Sequence, residues 1–300
     1  MRARPVASRA PRVSLAQTIA AQVLLDHGVD DLPVDPFAIA AACNILVEAK
    51  PPQHDGFSGM LVRVGESYGI LYATYVDSPG FQRFSVAHEL GHYFMPDHME
   101  RMIHEGPHPS RAGFATADPF EIEADLFAAA LLMPSAPFQR VMARHADGLD
   151  AVIALADRCE TSLTATAVSY VRHTRSAVAV VQCTGGVVDF CMASEAMKSV
   201  PLRLLRKGEA APNPTATSSL AAVPSRVAAA ARDGGVGRLS DWFERAPAHP
   251  VREDVIGLGR FGRTLTVLHC DRISLEADGY EDDDDEEATL IESWTPRFRR

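Results

Sequence analysis

The chain has 300 residues, of which 47% are hydrophobic, and its formal net charge is −10. This length favours two domains with enough apolar side chains for sizeable cores. Seven of the negative charges form one acidic run at 281–287, so the rest of the chain carries only −3. Such a balance excludes the basic surplus that drives nucleic-acid binding, and we expect no direct contact with DNA or RNA.

Five cysteines are spread through the chain without a C-x-x-C pair. Their odd number and irregular spacing argue against a disulfide framework or a cysteine-rich zinc site, and favour reduced thiols in the cytoplasm. The basic and then apolar start is typical of a signal peptide, but Gln17 and Gln22 interrupt the apolar run. No small-residue cleavage site follows them. No window approaches the roughly 18 apolar residues of a membrane helix, so we expect no membrane association.

The first predicted elements in chain order are two helices. Residues 1–14 are rich in Arg, Pro and Ala, and this composition predicts disorder. An apolar periodicity then predicts a helix at 15–25. Asp35 and Pro36 fit the N-cap and the first position of a second helix, which we place at 35–43.

A small sheet is expected next. The run 44–48 predicts a short strand, and the runs 59–64 and 68–75 flank a turn and predict a hairpin. We expect this sheet to be antiparallel. An edge of such a sheet beside an active site could bind an extended peptide as an added strand.

The stretch 83–96 follows the hairpin and predicts a helix, because a turn-forming cluster at 77–80 precedes it and Pro96 ends it. Within it, His88, Glu89 and His92 form an H-E-x-x-H sequence. Residues four apart on a helix lie on one face with Cβ atoms about 5–6 Å apart, so both imidazoles can reach one zinc ion. Glu89 can accept a proton from a water molecule without binding the metal. This arrangement predicts metal-assisted hydrolysis, in which zinc lowers the pKa of water and the glutamate acts as general base.

Further helices are expected after a polar segment at 97–118, which we interpret as a long loop. Asp118 and a following proline open a predicted helix that ends near Met133. The pattern then predicts three more helices, at 138–145, 150–158 and 161–173.

The third zinc ligand has two candidates in this region, since a catalytic zinc usually has three protein ligands. His98 stands six residues after His92, where a related motif has its third histidine, but Met95 occupies the position of that motif's turn-forming glycine. Glu121 lies at the start of the next predicted helix, where it equally fits the N3 position of a capping box begun by Asp118. The spacing alone leaves both roles of Glu121 open.

Asp125 lies four residues after Glu121, on the same face of the predicted helix. Metal-bound histidines usually donate their second ring nitrogen to an acceptor. We therefore predict that Asp125 accepts a hydrogen bond from the second ring nitrogen of one of the two ligand histidines.

The sequence pattern changes near Ser176, from predicted helices to short apolar runs. Apolar runs at 177–181 and 187–191 flank two glycines and predict a hairpin, and 262–270 predicts a strand. The segment 207–235 is rich in Ala, Pro, Ser and Thr, and we interpret it as a linker or long loop with a possible short helix.

The predicted domain organisation follows from these changes in composition and sequence pattern. It consists of a disordered start at 1–14, a peptidase domain at 15–175, a small α/β, possibly sensor-like module at 176–278, and a charged tail at 279–300. The predicted fold class is therefore α+β, with a helical zinc-peptidase domain whose small sheet lies beside the H-E-x-x-H helix.

Two stretches, RFSVAHELGH at 83–92 and EIEADLFAAALLMP at 121–134, together resemble the paired motifs of the ImmA/IrrE family of metallo-endopeptidases. The resemblance spans roughly 16–173. It implies a Zn²⁺ cofactor with Glu121 as the third ligand beside His88 and His92. Asp125 stands where the family more often has Asn, which keeps an acceptor behind the ligands.

The resemblance also implies an activity, the regulated cleavage of a helix-turn-helix repressor that releases stress-response or mobile-element genes. Because the chain shows no helix-turn-helix of its own, the repressor would be a separate protein. The alternative is a non-catalytic regulatory protein that binds a repressor or a signal, with structural zinc or none. The intact Glu89 argues against it, because a structural site needs no general base.

Overall fold

The computed structural model describes residues 10–50, 58–75, 78–105, 118–259 and 262–271. Contacts between Cα atoms divide these residues into two units. Unit 1 holds the chain as far as Phe138 together with Arg158–Ser162, and unit 2 holds Gln139–Asp157 and the chain from Leu163 onward. This division falls at different positions from the predicted domain boundary at 175/176, which stays a prediction. In the described part of the chain, no helix has the length and apolar content needed to cross a membrane.

Unit 1 is built from helices around a three-stranded sheet. Its elements are α1 (Val13–Asp26), α2 (Pro36–Ala42), β1 (Ile45–Lys50), β2 (Gly59–Val64), β3 (Ser67–Ala73), α3 (Pro79–Phe94), α4 (His98–Glu105), α5 (Pro119–Leu132) and the start of α6 (Ser135–Met142). The predicted helices and strands of this region are confirmed. The prediction of a continuous loop at 97–118 is wrong at its start, because α4 begins at His98; residues 106–117 lie outside the described part.

Local signals explain where these helices begin. The side chain of Asp35 accepts a hydrogen bond from Phe37 N, and that of Asp118 accepts one from Phe120 N. Ser78 caps α3 in the same way, by accepting from Phe81 N. Each of the three helices also has a proline in its first turn, where no backbone donor is needed. These caps satisfy N–H groups that have no partner inside the helix.

The small sheet has the strand order β1-β3-β2. The predicted hairpin is confirmed, because β2 pairs antiparallel with β3 and Val64 lies opposite Ser67. The expectation of an entirely antiparallel sheet is wrong, since β1 pairs parallel with β3. Strand β2 occupies one side of β3, so β1 pairs with the other side of β3, where it runs in the same direction as β3. This order leaves β2 at an edge of the sheet.

Helices α3 and α5 pack closely against each other. A Cβ atom on Gly91 would lie 3.0 Å from Ala124 Cα, so the absence of a side chain permits this approach. The rings of Phe94 and Phe127 stack beside it at 5.9 Å between centroids. Leu90 and Phe127 are fully buried. The apolar stripes of both helices therefore form one core, and this core fixes the distance between their polar faces.

Unit 2 contains a five-stranded antiparallel sheet in the order β5-β4-β8-β7-β6. Its elements after α6 are α7 (Leu149–Cys159, whose last two residues group with unit 1), α8 (Leu163–His173), β4 (Ala177–Thr184), β5 (Val187–Ala193), α9 (Glu195–Lys198), α10 (Ala216–Ala221), α11 (Pro224–Ala228), β6 (Arg232–Arg238), α12 (Leu239–Trp242), β7 (Pro250–Gly257) and β8 (Arg263–Cys270). The predicted hairpin at 177–191 is confirmed. The expected α/β module consists of helices and a purely antiparallel sheet. With the helices and sheets of both units, the predicted mixed α+β fold class is confirmed.

The interpretation of 207–235 as a linker or long loop is wrong, because α10, α11 and the start of β6 lie there; the possible short helix is confirmed and is present twice, as α10 and α11. A buried carboxylate explains part of this order. Glu253, on β7, accepts hydrogen bonds from Ala216 N and Thr217 N at 3.1 and 2.7 Å and so fixes the start of α10 to the sheet. Composition could not show this contact, since its partners are 36 and 37 residues apart.

Candidate metal centre

Helix α3 carries the H-E-x-x-H residues on a face turned into unit 1. His88, Glu89 and His92 are 2%, 1% and 6% exposed. The Nε2 atoms of the two histidines lie 3.1 Å apart, as the four-residue spacing predicts for rings that point at one place. The two imidazoles therefore present their nitrogens together in a buried position.

Helix α5 brings a carboxylate to the same point. Glu121 Oε2 lies 3.4 Å from His88 Nε2, and its Oε1 lies 3.2 Å from His92 Nε2. One ligand atom from each of the three residues falls within 4.8 Å of the others. Two imidazole nitrogens and one carboxylate oxygen form a donor set found in catalytic zinc sites. The arrangement therefore fits a zinc ion.

The electrostatics of the cluster show how strongly these groups interact. Burial opposes the charged form of His88, but hydrogen bonds with Asp125 and Glu121 outweigh it and raise the pKa of this histidine well above its usual value. Burial also opposes ionisation of Glu121, yet hydrogen bonds with the two imidazoles hold the pKa of its carboxyl well below the usual range. Both pKa shifts arise from direct contacts within the cluster.

Asp125 lies behind the first histidine. Its Oδ1 atom is 2.7 Å from His88 Nδ1, the ring nitrogen that points away from the cluster. A carboxylate at that position makes Nδ1 the protonated nitrogen and leaves Nε2 free to bind a metal. This is the geometry that the sequence predicted for Asp125.

His98 lies outside the ligand cluster. Its Nδ1 atom is 3.1 Å from His92 Nδ1, on the far side of that ring from Glu121. The chain reaches this position because Met95 is extended, with φ −73° and ψ 131°, and Asp97 makes the turn with φ 71°. Aspartate tolerates the left-handed region better than most residues. Among the described residues, the group that could hold a metal is His88, His92 and Glu121.

Glu89 lies against the edge strand of the small sheet. An ideal Cβ on Gly59 would come within 2.6 Å of Glu89 Oε1, so only glycine leaves room for the carboxylate in this position. Strand β2 therefore runs directly beside Glu89, and among the described strands it has a neighbour on one side only, β3.

Three residues near the motif in the sequence, Tyr93, His104 and His108, have side chains that could stabilise an oxyanion. Tyr93 packs edge to face on Tyr68 at 5.2 Å between centroids. Burial is the main cause that raises the pKa of its hydroxyl. The side chains of His104 and His108 lie outside the described residues. The contact with Tyr68 gives Tyr93 no role in the site.

Sequence reasoning missed Arg12, which it placed in a disordered segment. Arg12 donates from its backbone N and from its guanidinium to the buried Glu123, across 111 residues of chain. A spacing pattern carries no signal for such a contact. Glu123 could have been noticed only weakly, because it is an acidic residue on the predicted helix between Glu121 and Asp125.

A buried pair of histidines and a carboxylate on two packed helices, beside the edge of a small sheet, defines a metallopeptidase-type domain. Residues 43–169 match the sequence model of the M78 peptidase family, described as the IrrE N-terminal-like domain. These residues are therefore similar to the IrrE N-terminal-like domain of that peptidase family, in agreement with the resemblance of the two helical motifs.

Among solved structures, a Mycobacterium tuberculosis transcriptional regulator is similar, with a TM-score of 0.54 over 85% of this chain and 76% of that one. At 14% identity this similarity shows the fold alone. A search of curated proteins found no match.

Proposed function

We propose that this chain is a zinc-dependent endopeptidase in which His88, His92 and Glu121 hold the metal. The observation that carries the proposal is the meeting of their three ligand atoms within 4.8 Å in a buried site. Zinc bound there would supply a Lewis acid that polarises the scissile carbonyl and lowers the pKa of water. The donor set and the similarity to a peptidase family support this assignment together.

Glu89 is the proposed general base and, later, the proton donor. Its carboxylate would accept a proton from the attacking water and pass it to the leaving amine nitrogen. The burial of Glu89 excludes bulk water from the acid–base group, and Gly59 leaves the space in which the carboxylate lies. Asp125 would hold His88 in the tautomer that presents Nε2.

Strand β2 is the proposed docking site for the substrate backbone. It is an edge strand, and an extended peptide added along it would receive main-chain hydrogen bonds. Because Gly59 on the same strand contacts Glu89, such a peptide would pass beside the base. The sheet would thereby fix the direction of the substrate while α3 and α5 supply the chemical groups.

The proposed substrate is a separate helix-turn-helix repressor, whose cleavage would release stress-response or mobile-element genes. The family resemblance supports this choice, and the structural neighbour is itself described as a transcriptional regulator. The five free cysteines support a cytoplasmic location. We further propose that residues 176–278 recruit or regulate, since the proposed ligands and the base lie between His88 and Glu121.

A second function, the non-catalytic regulator, is favoured by one observation, the fold shared with a transcriptional regulator. The two proposals differ in what they require of Glu89. A binding protein needs no buried carboxylate next to the ligand pair, whereas a peptidase depends on it.

The test is the variant Glu89→Gln, which keeps the size of the side chain and removes the base. Peptide cleavage should fall by about 10²-fold or more, while zinc content and thermal unfolding stay as in the wild type. Cleavage is followed by mass spectrometry on a peptide library and on any helix-turn-helix protein that a neighbouring gene encodes. Glu100→Gln, at an exposed position of α4, is the matched control and should keep full activity. Wild-type cleavage by Glu89→Gln would favour the non-catalytic regulator.

A further inference from the structure

His98 connects the second proposed ligand histidine to a buried carboxylate. Its Nδ1 atom lies 3.1 Å from His92 Nδ1, and its Nε2 atom lies 3.0 Å from Glu123 Oε2. The side chains of His98 and Glu123 are fully buried. A buried imidazole that contacts a polar atom with each nitrogen has a defined role in a hydrogen-bond network.

One arrangement of protons satisfies this network. For His92 to offer Nε2 to a metal, its Nδ1 must carry the proton, and this proton points at His98 Nδ1. His98 Nδ1 must then be the acceptor, so its own proton lies on Nε2 and is donated to Glu123. The carboxylate at the far end thus determines the tautomer of His98, and through it the tautomer of His92.

Arg12 holds the carboxylate of Glu123 in place. Its backbone N donates to Glu123 Oε1 at 2.8 Å, and its Nη2 donates to Glu123 Oε2 at 2.9 Å. The same guanidinium donates to Pro96 O at 2.9 Å and to Asp97 Oδ2 at 3.0 Å. Arg12 therefore holds both the carboxylate and the turn that carries His98.

We propose that Arg12, Glu123 and His98 form a relay of hydrogen bonds that fixes the ring of His92 for metal binding. We call these three residues the His98 relay. They are positioning residues, because none of their atoms belongs to the ligand cluster. The inference rests on the proposed zinc site. His88 has its support from Asp125 on α5, and the His98 relay gives His92 an equivalent support from Glu123 on the same helix.

An ordinary buried ion pair would explain Arg12 and Glu123 alone. It would not explain His98, which brings no charge to the pair and faces a proposed ligand with its other nitrogen. The relay explains why the turn at Asp97 places an imidazole there.

The test measures the zinc affinity of the full chain by competition with a chromogenic chelator. His98→Leu removes the acceptor and should weaken zinc binding by about 10- to 100-fold. His98→Asn keeps an acceptor near the Nδ1 position and should recover most of that loss. Glu123→Gln and Arg12→Ala should weaken binding by smaller factors in the same direction. Arg158→Ala, which breaks an ion pair with Asp31 elsewhere in unit 1, is the matched control and should leave the affinity unchanged.

A second measurement needs no variant. Long-range ¹H–¹⁵N spectra of the zinc-loaded wild type should show His98 with its proton on Nε2 and His92 with its proton on Nδ1. A His98 proton on Nδ1 would overturn the relay, even if His98→Leu fails to fold. Equal affinities of His98→Leu and the wild type would also overturn it, as would equal losses in His98→Leu and His98→Asn. A wild-type chain that binds no zinc would instead refute the proposed function.

Discussion

Replacing Gly59 by alanine would place a methyl group in the space that Glu89 occupies. The new Cβ would lie 2.6 Å from Glu89 Oε1, 3.0 Å from its Cγ and 3.1 Å from its Cδ. The first distance is roughly 0.7 Å shorter than a close C–H···O contact. Because an added side chain on β2 must point at the carboxylate, Glu89 has to move by a comparable distance or the strand has to shift.

The expected loss of activity follows from this displacement. A misplacement of about 1 Å at a reacting group can reduce the rate by roughly 10²-fold, or about 2.7 kcal/mol of transition-state stabilisation. Zinc binding should survive, because the methyl group meets Glu89, which is not a proposed ligand. The fold should survive as well, because the atoms that it meets belong to a side chain.

The assay compares kcat/KM for peptide cleavage, zinc content and thermal unfolding between the variant and the wild type. Gly69→Ala is the matched control on β3, where the new Cβ would meet Val62 Cγ2 at 3.3 Å and would leave Glu89 untouched. Wild-type kcat/KM in Gly59→Ala would refute the placement of Glu89 beside β2. Loss of zinc in the same variant would contradict the expectation that a change on β2 leaves the zinc ligands in place.

Three further predictions concern the ligands, the helix contact and the domain boundary. Glu121→Ala should abolish stoichiometric zinc in elemental analysis, whereas Glu100→Ala should not; full occupancy would remove Glu121 from the ligand set. Gly91→Ala should lower the free energy of unfolding by up to about 2 kcal/mol, because overpacking against Ala124 exceeds the gain in helix propensity; chemical denaturation measures this, and a clear stabilisation would contradict it. A chain ending at Arg175 should fold and keep its zinc; if it unfolds or loses its metal, the predicted boundary is wrong.

The local features of the site could be predicted from the sequence because they depend on spacing within one element. The pairing of His88 with His92 needs only the helical repeat, and the start of α5 needs only Asp118 and the proline after it. The hairpin of β2 and β3 likewise follows from two apolar runs and a short turn.

The third member of the ligand cluster could not be chosen by spacing. Glu121 had an equally good role as a capping residue, and His98 had the position of a third histidine. The packing of α3 on α5 at Gly91 and Ala124 brings Glu121 to both imidazoles. The left-handed turn at Asp97 carries His98 to the other side of His92.

The sequence by itself determined the H-E-x-x-H motif and its helix, because both are encoded in neighbouring residues, and its two motifs at 83–92 and 121–134 carried the family resemblance. Only the tertiary structure decided the parallel pairing of β1, the place of Gly59 beside Glu89, and the contact of Arg12 with Glu123. These depend on segments far apart in the chain, whose approach is decided by the packing of helices and by the order of strands. A buried carboxylate and a partner 111 residues away leave no periodic signal, because burial and hydrogen bonding select them in three dimensions.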